Sequence, residues 1–121
     1  MSLSVIDRND VVLRGRLSAP PQLRALPSGD RLLLFKLVVR EQARPRGPKS
    51  GVITCVSYLP AVQRYAVGWT SEDVVEVEGT LQRRFWRTPT GTAVAYEVNC
   101  RRGRKVARAA DRPDARAASP S

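Results

Sequence analysis

A cation and an indole share one face of a stretch that runs into a turn. Apolar and polar residues alternate along Val75–Gln82, which predicts a half-buried β-strand that continues to Trp86. Gln82, Arg84 and Trp86 lie on the same face of that strand, just before the turn signal TPTG at residues 88–91. An exposed aromatic ring beside a guanidinium can stack nucleobases and contact phosphate. Alternatively, the strand is a plain amphipathic one and Trp86 packs against a neighbour.

The remaining residues of this strand have simpler interpretations. Phe85 shares the face of Val75 and is therefore predicted to belong to the core. Glu76 and Glu78 lie two residues apart on the other face and could act as a carboxylate pair. The chain has no histidine, no metal-ligand spacing and no Gly-rich phosphate loop to complete a catalytic set. We interpret the two acids as salt-bridging residues and predict that the protein is not an enzyme.

The charge of the chain points to a polyanionic partner. Its 121 residues include 21 Lys and Arg against 11 Asp and Glu, a net charge of +10. Such an excess favours nucleic acid or an anionic membrane surface. Arginine greatly outnumbers lysine, and a guanidinium both stacks on bases and forks onto phosphate. Among polyanions, this composition favours nucleic acid.

Cysteine and hydropathy patterns narrow the class further. Cys55 and Cys100 are far apart and have no histidine near them, so we expect no zinc site and no other cofactor. Both thiols are predicted to pack as small apolar side chains. Sparse cysteine fits a reducing compartment. The N-terminus lacks the apolar run of a signal peptide, and no stretch is long enough to span a membrane. We expect a cytoplasmic, nucleoid-associated protein without membrane contact.

These residues must be positioned by a small β-rich domain. Pro60 suits a helix start, and helical spacing follows it, with Tyr65 and Trp69 predicted to pack the helix onto the sheet. The predicted elements are strands at Asn9–Leu17, Arg31–Arg40 and Val52–Leu59, a short helix over residues 61–67, and a hairpin over Glu72–Val98. Five strands with one helix between the third and fourth are typical of the oligonucleotide-binding barrel, an all-β fold.

Two further segments are predicted to be irregular. Residues 41–51 are rich in Pro and Gly and should form a mobile cationic loop containing Lys49. Residues 101–121 show no periodicity and consist largely of Ala, Arg, Pro and Ser. We predict an oligonucleotide-binding domain over residues 1–100 and a disordered basic tail over residues 101–121, with its cations available to phosphate.

The order of these motifs resembles a known family. NDVVLRGRL, LPSGDRLLLFKLVV, ITCVSYLPAVQRYA and VVEVEGTLQRRFW, then a Thr-Gly turn and YEV, are similar in order and spacing to bacterial single-stranded DNA-binding proteins. The run from Val75 to Trp86 is the most specific part, and the resemblance covers about residues 9–100. It implies a barrel that assembles, usually as a homotetramer, and wraps single strands. Family members commonly end in an acidic tip, whereas this chain ends in RAASPS. The resemblance therefore implies a paralogue-like member without tip-mediated recruitment of partner proteins.

The resemblance also implies which residues bind nucleic acid. Trp86 falls on a stacking tryptophan of the family, with Gln82 and Arg84 beside it. Tyr58 falls on an aromatic position of the third strand; alternatively it is a core residue with a bonded hydroxyl. The predicted set is completed by cations, each of which is equally well explained as a solvated surface charge: Lys36, Arg40, Arg14, Arg16, Arg87 and Lys49.

The predicted function is therefore non-catalytic binding and protection of single-stranded DNA during replication, repair or recombination. Two alternatives stay open. One is an RNA-binding or primosomal protein of the same fold. The other is a structural partner in mixed oligomers with another single-strand binder. Apolar outer positions at Val12, Leu34 and Val38 favour a homo-oligomer, expected to be a homotetramer.

Overall fold

The computed structural model describes residues 6–41 and 49–109, and the side chains of residues 41, 49 and 50 lie outside that description. Residues 42–48 of the predicted cationic loop therefore fall outside the described residues, and the prediction of a loop is wrong for residues 49–51, which begin a strand. The elements in chain order are β1 (Val11–Leu17), β2 (Gln22–Ala25), β3 (Arg31–Glu41), β4 (Lys49–Ser57), α1 (Pro60–Ala66), β5 (Val74–Thr88) and β6 (Gly91–Ala107). The described helix is too short and too polar to cross a membrane.

The strands form one sheet that closes on itself. Their order is β1-β5-β6-β4-β3-β2, and a further pairing of β1 with β3 at Arg16 and Leu17 closes the barrel. All pairs are antiparallel except β4 with β6, which meet in parallel register only at Cys55–Val98 and Val56–Asn99. The short strand β2 follows the Pro20-Pro21 break and pairs with β3. Apart from the short strand β2, the barrel has five strands, and α1 lies between the third of them (β4) and the fourth (β5). This order confirms the predicted oligonucleotide-binding barrel.

The core lies inside the barrel and under α1. Alternate residues of the strands point inward, and the ring of Phe35 meets that of Trp69 edge to face at 5.5 Å between centroids. The prediction that Trp69 packs against the sheet is thus confirmed. The same prediction for Tyr65 is wrong, because 69% of that side chain is exposed. The helix has only seven residues, so a single face, with Val62 and Ala66, reaches the core.

Both cysteines are buried and free, as predicted. A hydrogen bond with the Cys100 thiol and the surrounding burial raise the pKa of the Cys55 thiol above its ordinary value. Its thiol therefore stays protonated and unreactive, in agreement with a packing role.

Strand β6 is longer than the sequence predicts. It continues through Ala107 and pairs with the first residues of β5 as far as the Val74–Ala107 pair. Residues 101–107 are therefore a strand, and the predicted start of the disordered tail at residue 101 is wrong. A register shift between Glu78 and Gly79 breaks the alternation on β6, which hides this strand from a periodicity search. Residues 110–121 lie outside the described part of the chain.

Asp73 anchors the end of this longer strand. Its Oδ1 accepts the backbone N–H of Ala109 at 2.9 Å, and its Oδ2 lies 3.1 Å from the Lys105 ammonium. Burial alone would raise the pKa of Asp73, but hydrogen bonds from the Thr70 and Ala109 N–H groups and from Lys105 outweigh it and lower the pKa. The carboxylate therefore remains charged and holds the chain just after β6 against the start of β5.

The other end of the β5–β6 hairpin leaves the barrel. Asn9, two residues before the first residue of β1, exchanges two hydrogen bonds with the backbone of Leu81, at 2.7 and 2.9 Å. Beyond that point β5 and β6 pair only with each other, as far as Thr88 and Gly91. We call residues 81–97 the hairpin arm. A two-stranded ribbon has no core of its own, so towards the tip of the arm both of its faces present side chains to solvent.

Candidate nucleic-acid interface

One face of the hairpin arm carries the predicted stacking residue. Trp86 is 43% exposed, and the guanidinium of Arg84 lies over its ring at 4.7 Å from the centroid. Their register partners on β6 are Ala93 and Ala95. The small side chains of these alanines do not extend over the indole. A guanidinium held against an indole provides a flat platform on which a base can stack.

A buried carboxylate, which the sequence analysis does not single out, lies next to this platform. Glu97 is 4% exposed and is the register partner of Gln82. Gln82 Nε2 donates to Glu97 Oε1 at 2.9 Å, and Arg84 Nε lies 3.4 Å from the same oxygen. The carboxylate thus holds both predicted polar side chains in place. The signal available in the sequence is the single acid in the YEV motif of an otherwise apolar strand segment.

Lys36 belongs to the same outer surface of the sheet. Lys36 pairs with Thr54 on β4. Strands β4 and β6 run parallel, and Cys55 pairs with Val98, so the residues just before them, Thr54 and Glu97, lie side by side. The outward side chains of Lys36, Thr54, Glu97 and Gln82 therefore follow one another across four strands. We call these four residues the cross-strand row. It runs from an exposed cation on β3 to the base of the Trp86 platform.

Tyr58 lies beyond the end of the row and faces solvent. It directly follows β4 and is 49% exposed, so the alternative that it is a core residue does not apply. It lines an open groove of about 710 Å³ between α1 and the turn before β3. Arg31 and Arg64 line the same groove, and neither forms an ion pair within the described residues. The groove thus combines an aromatic ring with two arginines and the carboxylate of Asp30.

The opposite face of the hairpin arm carries a second ring and cation. Phe85 is 56% exposed, and the guanidinium of Arg83 lies 4.8 Å from its ring centroid. Tyr96, the register partner of Arg83, is 61% exposed. The prediction that Phe85 is a core residue is wrong because its strand has left the barrel. The alternation continues correctly, but no core remains for this face to cover.

Several predicted phosphate ligands are instead paired with acids of the chain. Arg14 lies 2.9 Å from Glu76, and Arg16 lies 3.3 Å from Glu72. The hydrogen bonds from Arg14 and then Arg104 hold the pKa of Glu76 below its usual value. Four cations of β6, predicted to be free in a tail, are paired in the same way: Arg101 with Asp10, Arg102 with Glu78, Arg104 with Glu76 and Lys105 with Asp73. The acids at this end of the barrel compete with phosphate for these cations.

The remaining predicted cations are divided among three places. Arg40 is exposed on β3, on the same face as Lys36. Arg87 is exposed at the tip of the hairpin arm, opposite Thr92. The side chain of Lys49 lies outside the described residues. In the described parts of the chain, no group of three His, Cys, Asp or Glu residues could hold a metal ion.

The fold of this chain also occurs in proteins of known structure. No family model matches the sequence, and no curated protein matches it. The structure is similar to 183 chains of known structure. One of them is a solved complex of the Plasmodium falciparum SSB with ssDNA, with a TM-score of 0.70 and 24% identity over 81% of this chain and 92% of that chain. This likeness places the chain in the oligonucleotide-binding fold class.

Proposed function

We propose that the protein binds and protects single-stranded DNA without catalysing a reaction. The observation that carries this proposal is the half-exposed Trp86 with Arg84 over its ring, at one end of a row that reaches Lys36. Every base offers a face to an indole, so such a platform accepts any sequence. The fold supports the proposal, because a protein with this architecture has been solved in complex with ssDNA.

A single strand would follow the available cations. Lys36, Arg31 and Arg64 form no ion pair in the described chain, whereas the cations near Glu76 are neutralised by acids. Phosphates would therefore run from the groove beside Tyr58, past Lys36, to the hairpin arm. Bases would stack on Trp86 and Tyr58, each contributing roughly 1–3 kcal/mol. Such binding would serve replication, repair or recombination in the cytoplasm, at the nucleoid.

Competition binding tests this function directly. We expect labelled oligo-dT to bind and to quench tryptophan fluorescence, and unlabelled duplex DNA of equal length to compete poorly. An RNA oligomer of the same sequence separates the RNA-binding alternative, since only RNA offers a 2′-hydroxyl. Stronger competition by RNA than by DNA would favour that alternative. Absence of binding to either single strand would contradict the proposal.

Lys36→Ala should flatten the salt dependence of binding. One phosphate contact on a single strand contributes about 0.7 to the slope of log affinity against log salt. Arg14→Ala is the matched control, since Arg14 already pairs with Glu76 at 2.9 Å and should leave the slope nearly unchanged. Both slopes would be measured by titration of oligo-dT over a range of salt concentrations. A larger change for Arg14→Ala than for Lys36→Ala would place the strand on the other side of the barrel.

We also propose that the chain assembles, as a homotetramer. Within the described strands, β1 pairs with β3 only at Arg16 and Leu17, so its edge near Val11 is open to pairing with another strand. Val12 beside it is 61% exposed. An open strand edge with an apolar side chain is suited to pairing with a second copy.

Light scattering measures the assembly. We expect a mass of four times the 13.4 kDa chain at micromolar concentration, and a smaller mass for Val12→Lys. Val67→Lys is the control, because Val67 is 84% exposed and follows α1 instead of lying in a strand. A monomer mass for the unmodified protein, or equal losses in both variants, would contradict this assembly.

A further inference from the structure

We propose that Glu97 reads the exocyclic amino group of a base, so that the interface favours cytosine and adenine over uracil and thymine. The inference rests on the proposed function, since it concerns a base bound beside Trp86. Stacking alone does not distinguish one base from another. The inference identifies a residue that would make the interface distinguish them.

The position of Glu97 favours this role. The carboxylate lies in the cross-strand row, between Lys36 and the Trp86 platform, and it is the only acidic residue of the hairpin arm. A single-stranded nucleic acid that follows the cross-strand row towards Trp86 must pass over Glu97. Elsewhere in the described chain, carboxylates near cations cluster where β1, β5 and the end of β6 meet.

The contacts of Glu97 leave it able to accept a further hydrogen bond. Gln82 and Arg84 both approach Oε1, at 2.9 and 3.4 Å, and neither contact uses Oε2. A carboxylate offers about four acceptor sites on its two oxygens. The side chain is held by two neighbours and is 5% exposed, so its orientation is fixed before any ligand arrives. A fixed, desolvated acceptor discriminates better than a mobile exposed one.

The residues that precede Glu97 on this face of β6 have small side chains. Ala93 and Ala95 precede it on the same face of β6 and lie opposite Trp86 and Arg84. Alternate residues of a strand are about 6.5 Å apart. Glu97 therefore lies about 6.5 Å beyond Ala95 and about 13 Å beyond Ala93 along β6. A base that stacks near the indole and extends over both alanines places the next base of the nucleic acid near Glu97. Larger side chains at these two positions would keep the bases away from the carboxylate.

The chemistry of the bases then sets the preference. Cytosine N4 and adenine N6 are amino donors, whereas uracil and thymine present the O4 acceptor at the corresponding edge. A carboxylate accepts from an amino group and repels a carbonyl oxygen. When a base without an amino group covers the carboxylate, the hydrogen bond to this charged group is not formed and its contribution to binding is lost. Stacking on Trp86 is common to all bases, so the difference arises at Glu97.

Glu97→Gln tests the inference, with oligo-dC and oligo-dU of equal length as probes. At the edge that would face Glu97, cytosine carries an amino group and uracil carries a carbonyl oxygen. A glutamine amide can both donate and accept, so the ratio of the two affinities should fall by about tenfold in the variant. Glu78→Gln is the matched control, because it removes the same charge from a carboxylate paired with Arg102, away from the arm. Its ratio should equal that of the unmodified protein.

A second measurement needs no protein variant. Oligomers of N4,N4-dimethylcytosine lack the amino hydrogens, so the unmodified protein should bind them no better than oligo-dU. Equal dC-to-dU ratios in the unmodified protein and Glu97→Gln, with both strands still bound, would overturn the inference and leave single-strand binding intact. Failure of the unmodified protein to bind either strand would instead contradict the proposed function. If Glu97→Gln fails to fold, undiminished binding of the dimethylated strand overturns the inference.

Discussion

Trp86→Ala should weaken binding of oligo-dT by roughly 1–3 kcal/mol, which corresponds to about 5- to 150-fold in affinity. The thermal midpoint should hardly change, because the indole is 43% exposed and lies on an arm outside the barrel. The quenching of fluorescence by DNA should largely disappear, since the remaining Trp69 is 4% exposed in the core. Fluorescence titration and a thermal melt of the same preparation measure both quantities.

Trp69→Ala is the control for this prediction. Removing a buried aromatic side chain typically costs about 3–5 kcal/mol of stability, and Trp69 packs against Phe35 and against the backbone at Gly103. The two tryptophans should therefore separate cleanly, one affecting binding and the other stability. A large loss of stability for Trp86→Ala would show that the arm is covered in the assembled protein and that Trp86 packs there.

The sequence predicts the barrel well because alternation reports which face of a strand is inside. The positions of β1, β3, β4 and the hairpin, and the helix start at Pro60, follow from periodicity and turn residues. Alternation does not show whether a hydrophobic core lies on that side of the strand. Phe85 continues the inner face of β5 correctly, yet it lies beyond Leu81, where the barrel has ended. The length of a strand relative to its neighbours requires the three-dimensional register.

The same limit applies to the cations. Arg14 and Lys36 look alike in sequence, each on the polar face of a strand, but only Arg14 has a carboxylate as cross-strand partner. Pairing depends on register between strands about 60 residues apart, and no local pattern encodes it. Glu97 was missed for a related reason. Its significance comes from Gln82 and Arg84 across the strand pair.

Gly79→Ala should abolish folding, or destabilise the protein by more than about 4 kcal/mol. A methyl group at Gly79 would clash with the carbonyl oxygen of Asn99 and would lie 2.9 Å from the Cα of Cys100. Both are backbone atoms of the paired strand, which cannot turn aside as a flexible side chain can. The position coincides with the register shift between Glu78 and Gly79.

Gly51→Ala provides the comparison, because it makes the same substitution within a strand where no described atom lies within 4 Å. Its effect should stay within about 1 kcal/mol. Urea unfolding of both variants, followed by circular dichroism, gives the two free energies.

The close approach at Gly79 lies where β5 passes from the barrel into the hairpin arm, just before Leu81 binds Asn9. Stable folding of Gly79→Ala would mean that the strands can separate there, and the arm would then not be fixed relative to Lys36. The cross-strand row depends on that fixed relation, so the glycine links the packing of the barrel to the path of the nucleic acid.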